Sequence, residues 1–207
     1  MKIHSLRFTA AMVIGGALAL SGCSAATTGA TGATGTDRPA DPSPSAPGTS
    51  ADGTGTPRDT DIAGAEFTMS WRDALDAAAA RFDGDPVSLS LEWKRTAFAY
   101  GVELVSDTES YEAVFNADTG ELVYEETERE SAGDIAEKRL GLIAPDAILD
   151  PGAAMASAVA AVKGPVEEWE IDEEDGRIVY EVQIVTDTGD VDVTVDATSG
   201  EVLKVDH

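Results

Sequence analysis

Seven carboxylates, Glu167, Glu168, Glu170, Asp172, Glu173, Glu174 and Asp175, crowd one short stretch of the chain. Oxygen-rich groupings of this kind suit hard cations such as calcium or magnesium. The spacing matches no EF-hand loop. Successive side chains of a strand alternate in direction, so Glu168, Glu170 and Asp172 should share one exposed face while Trp169 and Ile171 pack inward. An open row of carboxylates is a solvated surface or, at most, a weak cation site, because it lacks the closed cage that holds hard ions tightly. Other chemistry has little to work with. The 207 residues include one cysteine and two histidines, His4 near the start and His207 at the end, so a serine or threonine nucleophile lacks its usual imidazole partner. HExxH, P-loop and Rossmann glycine patterns are absent. No catalytic residue, no cofactor and no enzymatic activity are expected.

The single cysteine points to a different reaction. Lys2, His4 and Arg7 make a basic start, an apolar stretch runs from Phe8 to Leu20, and Leu20-Ser21-Gly22-Cys23 follows. The apolar run is short for a permanent membrane span and ends in small residues, as a cleaved leader does. The tetrapeptide resembles the bacterial lipobox. That resemblance implies cleavage after residue 22, a diacylglycerol thioether on Cys23 and acylation of the new N-terminus, the familiar palmitate-type lipid modification. Several acyl chains at about 0.8 kcal/mol per buried methylene give stable anchoring. The expected location is the extracytoplasmic face of the cell membrane.

Net charge narrows the partners. The chain carries −25 at neutral pH, and losing Lys2 and Arg7 with the leader makes the remainder more negative by two charges. Such a surface repels phosphate backbones and anionic headgroups, so nucleic acid is excluded and the membrane is met through lipid alone. Acidic surfaces also keep exported proteins dispersed. Residues 23–61 are almost wholly Ala, Thr, Gly, Ser, Pro and Asp. Nothing in them can offset the entropy of ordering, and they read as a disordered linker with a reach of about 35 Å.

Positioning elements begin at Ile62. The stretch Asn116-Ala117-Asp118-Thr119-Gly120-Glu121-Leu122 recurs as Asp196-Ala197-Thr198-Ser199-Gly200-Glu201-Val202, a shift of 80 residues that holds without a gap through the preceding segments. Tyr100 meets Tyr180, Val102 meets Val182 and Leu75 meets Met155. Each copy opens with a helix. Ser70 and Asp73 form a capping-box pattern ahead of a stripe of Trp71, Leu75, Ala78, Ala79 and Phe82. In the second copy Asp150 caps, Pro151 takes the first helical position, and Met155, Ala158, Val159 and Val162 form the stripe.

Strands follow, with apolar residues at alternate positions: Phe98, Tyr100, Val102 and Leu104 in one copy, Ile178, Tyr180, Val182 and Ile184 in the other. A first strand precedes them, carrying Leu89 and Leu91 or Trp169 and Ile171. Gly101 interrupts one strand pattern, and Asp175-Gly176 is a hairpin signal. The fold class is therefore α+β: two repeated units, 62–127 and 150–207, each one helix on an antiparallel four-stranded sheet. How the units pack on each other is left open. The connector 128–149, with Ile135, Leu140, Leu142 and Ile143, should hold a short helix.

The second copy, helix then "GRIVYEVQIVTDTG" then "VDVTVDATSGEVLKV", resembles the PepSY domain family, whose signature includes an Asp-Ala-x-x-Gly-Glu-Val turn, here Asp196, Ala197, Gly200, Glu201 and Val202. The first copy, from about Phe67 to Glu126, departs from it at Gly101, at Lys94-Arg95-Thr96 and at Asn116. The resemblance implies a non-catalytic module of exported bacterial proteins and of the pro-segments of secreted thermolysin-type peptidases, associated with inhibiting or regulating peptidases. The partner that the resemblance implies is a protein, with a peptidase as the class it names. A cation-binding or envelope-sensing accessory lipoprotein is the alternative.

Overall fold

The computed structural model describes residues 55–207. The leader, Cys23 and the linker up to residue 54 lie outside the described residues. Helix α1 (Trp71–Ala79) starts where Ser70 accepts from the Asp73 N–H while the Asp73 side chain answers to the Ser70 backbone. Helix α3 (Pro151–Ala161) starts on Asp150, which accepts from the Gly152 N–H. Side chains at spacings of three and four cover one helix face, and in α1 the buried set is Trp71, Ala74, Leu75 and Ala78. Ala79, expected in that stripe, is exposed, and Ala74 takes its place.

Four antiparallel strands follow each helix: β1 (Asp85–Lys94), β2 (Ala97–Val105), β3 (Glu109–Asn116) and β4 (Leu122–Arg129), then β5 (Val166–Glu174), β6 (Arg177–Thr186), β7 (Gly189–Asp196) and β8 (Val202–Asp206). The two four-stranded sets merge into a single eight-stranded sheet in the order β4-β3-β2-β1-β5-β6-β7-β8. The join is antiparallel, with Leu89 opposite Ile171, Ser90 opposite Glu170 and Leu91 opposite Trp169. Ser90 and Glu170 are also counterparts under the 80-residue shift, as are Leu89 and Trp169, and Leu91 and Ile171. The repeats therefore meet as a self-complementary pair about a pseudo-two-fold axis through Ser90 and Glu170, the geometry by which two identical subunits dimerise. One apolar core, drawn from both repeats, lies between the sheet and the helices.

The strand through Gly101 is not interrupted. Gly101 lies directly opposite Ser90, and a Cβ at that position would come within 2.8 Å of the Ser90 Oγ. The glycine admits a close approach beside the seam rather than breaking β2.

The connector forms α2 (Ala132–Lys138), capped by Ser131, and a short 3-10 turn (Arg139–Gly141). Ile135 packs with Val87 and Val105, on the sheet face opposite the main core, whereas Ile143 joins that core and ties its N–H to the Pro86 carbonyl. The segment before α1 straps the repeats together, so residues 55–61, expected to end the disordered linker, are instead bonded to the domain. Thr56 donates from its N–H and its hydroxyl to the Asp118 carboxylate at 2.9 and 2.7 Å. Further on, the Ile62 N–H reaches the Val166 carbonyl and the Val166 N–H reaches the Asp61 carboxylate, both at 3.0 Å.

The repeated heptapeptide is the turn between the last two strands of each unit. Gly120 and Gly200 take φ of +71° and +76°, where a side chain is strained. Asp196 Oδ1 accepts from the N–H groups of Thr198 and Ser199 and from the Ser199 hydroxyl, and these bonds hold its carboxyl below the usual range. Asn116 does the same work with its amide oxygen for Asp118 and Thr119. Asp196→Asn should therefore leave thermal stability nearly unchanged, whereas Asp196→Ala should cost about 1 kcal/mol in urea denaturation at neutral pH.

Candidate functional site

The face of the sheet away from the main core is polar, and its composition follows from strand alternation. Each strand that sends Leu89, Tyr100, Ala113 or Tyr180 into the core sends its odd-numbered or even-numbered neighbours the other way. The pairing registers place Glu103, Glu112 and Glu126 side by side across β2, β3 and β4. They place Ser90, Glu170, Glu181 and Thr194 in one row across the seam. Carboxylates outnumber cations on this face. Lys138 pairs with Glu103 at 2.5 Å and Glu130 at 3.6 Å, Lys94 with Glu92 at 2.8 Å, and Lys204 with Asp206 and Glu174.

The consequence is a set of reluctant acids. Burial, then the charge of Asp172, pushes Glu170 up to about 8, against the opposing 3.2 Å hydrogen bond from the Ser88 hydroxyl. Asp172 is raised by burial and by neighbouring carboxylates, although the Glu173 N–H opposes the shift. Glu181 is raised by burial and by Asp192, Glu174 and Asp172. Glu112 is raised by burial, with Lys94 opposing and Glu103, Glu126 and Glu128 adding to it. Two of the expected cation ligands, Glu170 and Asp172, are thus carboxyls that ionise less readily than usual, and Glu168 lies beyond them on the same strand. Trp169 and Ile171 point inward as expected, at 2% and 0% exposure. Among the described residues no three histidine, cysteine or carboxylate groups converge where they could hold a metal ion.

The core face of β4 is electrostatically settled by contrast. Arg81 holds Glu125 by two nitrogens at 2.8 and 2.7 Å, and the Tyr111 hydroxyl donates to the same carboxylate at 2.8 Å. Arg81 first, then Tyr111, lowers the Glu125 carboxyl to about 2.

β4 and β8 are the outermost strands of the sheet. Every β4 residue after Leu122 is exposed, and so is every β8 residue after Val202. Val123 and Tyr124 stand 62% and 41% exposed, Leu203 and Val205 39% and 37%. An unpaired edge of this kind offers main-chain donors and acceptors to an incoming strand. The identity of the open edges was not legible in the sequence, because it depends on which strands form the seam.

The family model described as "Peptidase propeptide and YPEB domain", PepSY, matches residues 72–126 and 134–206. The chain belongs to the PepSY family. Its two PepSY matches correspond to the two halves of the sheet, each with a helix and four strands. The crystal structure of a Clostridium difficile 630 protein described as a candidate lipoprotein is similar to this PepSY chain. The two are 30% identical with a TM-score of 0.66, over 70% of this chain and 97% of that one. No curated protein matches the chain. None of the described helices is long and apolar enough to cross a membrane.

Proposed function

We propose that this PepSY protein is a non-enzymatic lipoprotein that binds a protein partner outside the cytoplasmic membrane and thereby restrains or regulates a peptidase. Cys23 carries the lipid, and residues 24–54 space the tandem domain from the bilayer. The likeness to a protein described as a candidate lipoprotein supports the anchor, and the family description, with its reference to peptidase propeptides, supports the peptidase. The observation that carries the binding role is the pair of exposed outer strands, since strand addition is a recurrent way for a rigid domain to hold an extended peptide. Crosslinking on intact cells, followed by identification of captured proteins, tests the reading. Recovery of a specific extracytoplasmic protein is expected, and recovery of nothing above background would count against it. Mass spectrometry of the mature N-terminus tests the lipid, with a diacylglyceryl cysteine at position 23 as the expected result.

The crowding of carboxylates around Glu170 favours a second reading, that of a cation-binding accessory protein. Calorimetric titration with calcium separates the two. Binding should be no tighter than about millimolar without a closed oxygen cage, and a micromolar heat signal with a raised melting temperature would favour the cation reading.

A further inference from the structure

The partner-binding reading leaves open which edge is used and what it takes. We infer that the outer edge of β4 is a docking site for an extended, lysine- or arginine-bearing protein segment, which adds to the sheet as a further strand beside Leu122–Arg129; the inference rests on the partner-binding reading above.

The main chain of β4 provides the first part of the argument. The Glu130 N–H donates to the Thr108 carbonyl, and the Asn116 N–H donates to the Glu121 carbonyl. With the β3–β4 register of Ser110 opposite Glu128 and Glu112 opposite Glu126, these bonds fix the alternation of an antiparallel ladder. Tyr124, Glu126 and Glu128 turn their amides toward β3. Glu125, Thr127 and Arg129 turn theirs to the open side, in a row long enough for a short strand to pair with.

Charge then selects the occupant. Glu103, Glu112 and Glu126 lie directly opposite one another across three strands, an arrangement that like charges disfavour. The lysines nearest this row, Lys138 and Lys94, are engaged at Glu103, Glu130 and Glu92. Glu126, which accepts from the Tyr124 hydroxyl, and Glu128, two residues along the same outer strand, enter none of those ion pairs. A strand laid beside β4 with a basic residue at every second position would set its cations next to Glu126 and Glu128. Exposed Val123 and Tyr124 would cover its apolar side-chain stems.

The same charges argue against a second copy of this chain at that edge. Antiparallel β4–β4 pairing would bring Glu125, Glu126 and Glu128 of each chain against those of the other, in a protein of net charge −25. The other edge is a poorer match. β8 has five residues to the eight of β4, and its central Lys204 is already paired with Asp206 and Glu174.

The test uses the purified full chain and a capped peptide alternating lysine and threonine over about nine residues, roughly the length of β4. Amide hydrogen exchange at Glu125 and Thr127 should slow at least about tenfold on peptide addition, while Leu203 and Val205 of β8 are unaffected. A peptide of the same charge, N-methylated at alternate residues, should bind at least about tenfold more weakly because it cannot complete the ladder. The Glu126→Lys, Glu128→Lys double variant should lose binding by a similar factor. Protection at β8 instead of β4, equal binding of the methylated peptide, or no binding even at low salt would overturn the inference. In intact cells Thr127→Pro, which removes an outward N–H at an edge position that tolerates proline, should abolish crosslinking. If Thr127→Pro captures the partner as the parent does, the β4 inference fails while partner binding stands. If the parent chain captures nothing, partner binding itself fails, and the peptide experiment still decides whether β4 accepts a basic strand.

Discussion

Replacing Glu170 with glutamine is expected to raise the stability of this protein at about pH 9 by about 2 kcal/mol, and to change it little near pH 4.5. The carboxyl sits on the pseudo-two-fold axis, paired with Ser90 on β1. Asp172 on its own strand, Glu92 on β1 and Glu181 on β6 add negative charge around it, and the Ser88 hydroxyl donates to it. Burial and these charges favour the protonated acid, so the folded chain holds a proton that the unfolded chain releases near 4.5 and the folded chain only near 8. A raised carboxyl contributes its stability below the unfolded value and loses it as pH rises through the folded value. The affected window is thus about 4.5 to 8, with the loss complete above it.

A shift of that size corresponds to a ceiling of roughly 5 kcal/mol. The side chain is only partly buried, and water screens a partly exposed charge, which reduces the expectation to about 2 kcal/mol. Glutamine keeps the shape and cannot ionise. Thermal melts of both proteins across that range should diverge with rising pH, reaching a difference of about 4–8 °C above pH 8 for a domain of this size. Parallel melting curves at every pH would show that Glu170 titrates normally. Glu121→Gln, in the exposed β3–β4 turn, is the control and should stay within about 0.5 kcal/mol throughout.

Much of this architecture was legible because it is local. Ser70 with Asp73, and Asp150 with Pro151, mark helix starts through bonds that close within one turn. Asp175-Gly176 marks a two-residue hairpin because both positions demand positive φ, and Asp175 and Gly176 have φ of 53° and 80°. The first copy turns differently, with only Arg95 at positive φ (57°) and the Thr96 N–H donating to the Lys94 carbonyl, and Arg95 gives no such signal. The 80-residue echo revealed two units but not the seam, since self-similarity says nothing about which edge of one unit meets the other. That long-range pairing explains why Glu170 is withdrawn from water although its alternation marks it as surface. Gly101 lies inside an unbroken strand because it faces Ser90 at close range within the β1–β2 hairpin. Alternation sends Trp169 and Ile171 inward, while Glu168 and Glu170 are half-buried and only Asp172 of that row is exposed. The reluctant carboxylates of the polar face and its open end at β4 appear only once eight strands are placed in order.

Trp169 should be the most costly single truncation at the seam. Its indole is 2% exposed and lies between Tyr100 of the first repeat, 6.4 Å away by ring centroids, and Tyr180 of the second, 6.0 Å away in an edge-to-face contact. These tyrosines are counterparts under the 80-residue shift, and the counterpart of Trp169 is the fully buried Leu89. The symmetry of the backbone is thus filled asymmetrically, a large ring from β5 on one side of the axis and a smaller aliphatic chain from β1 on the other. Trp169→Ala removes packing from both halves at once and should cost about 3–5 kcal/mol, because neighbours held in a continuous sheet cannot collapse into the cavity. Trp169→Leu, which makes the axis symmetric in residue type, should recover part of that loss. Since the two repeats share one core, urea unfolding of the alanine variant should shift to lower midpoint as one transition, with circular dichroism and tyrosine fluorescence coincident. If the two probes separate, with one repeat melting before the other, the seam is a contact between independently stable units and the shared core is not the source of cooperativity.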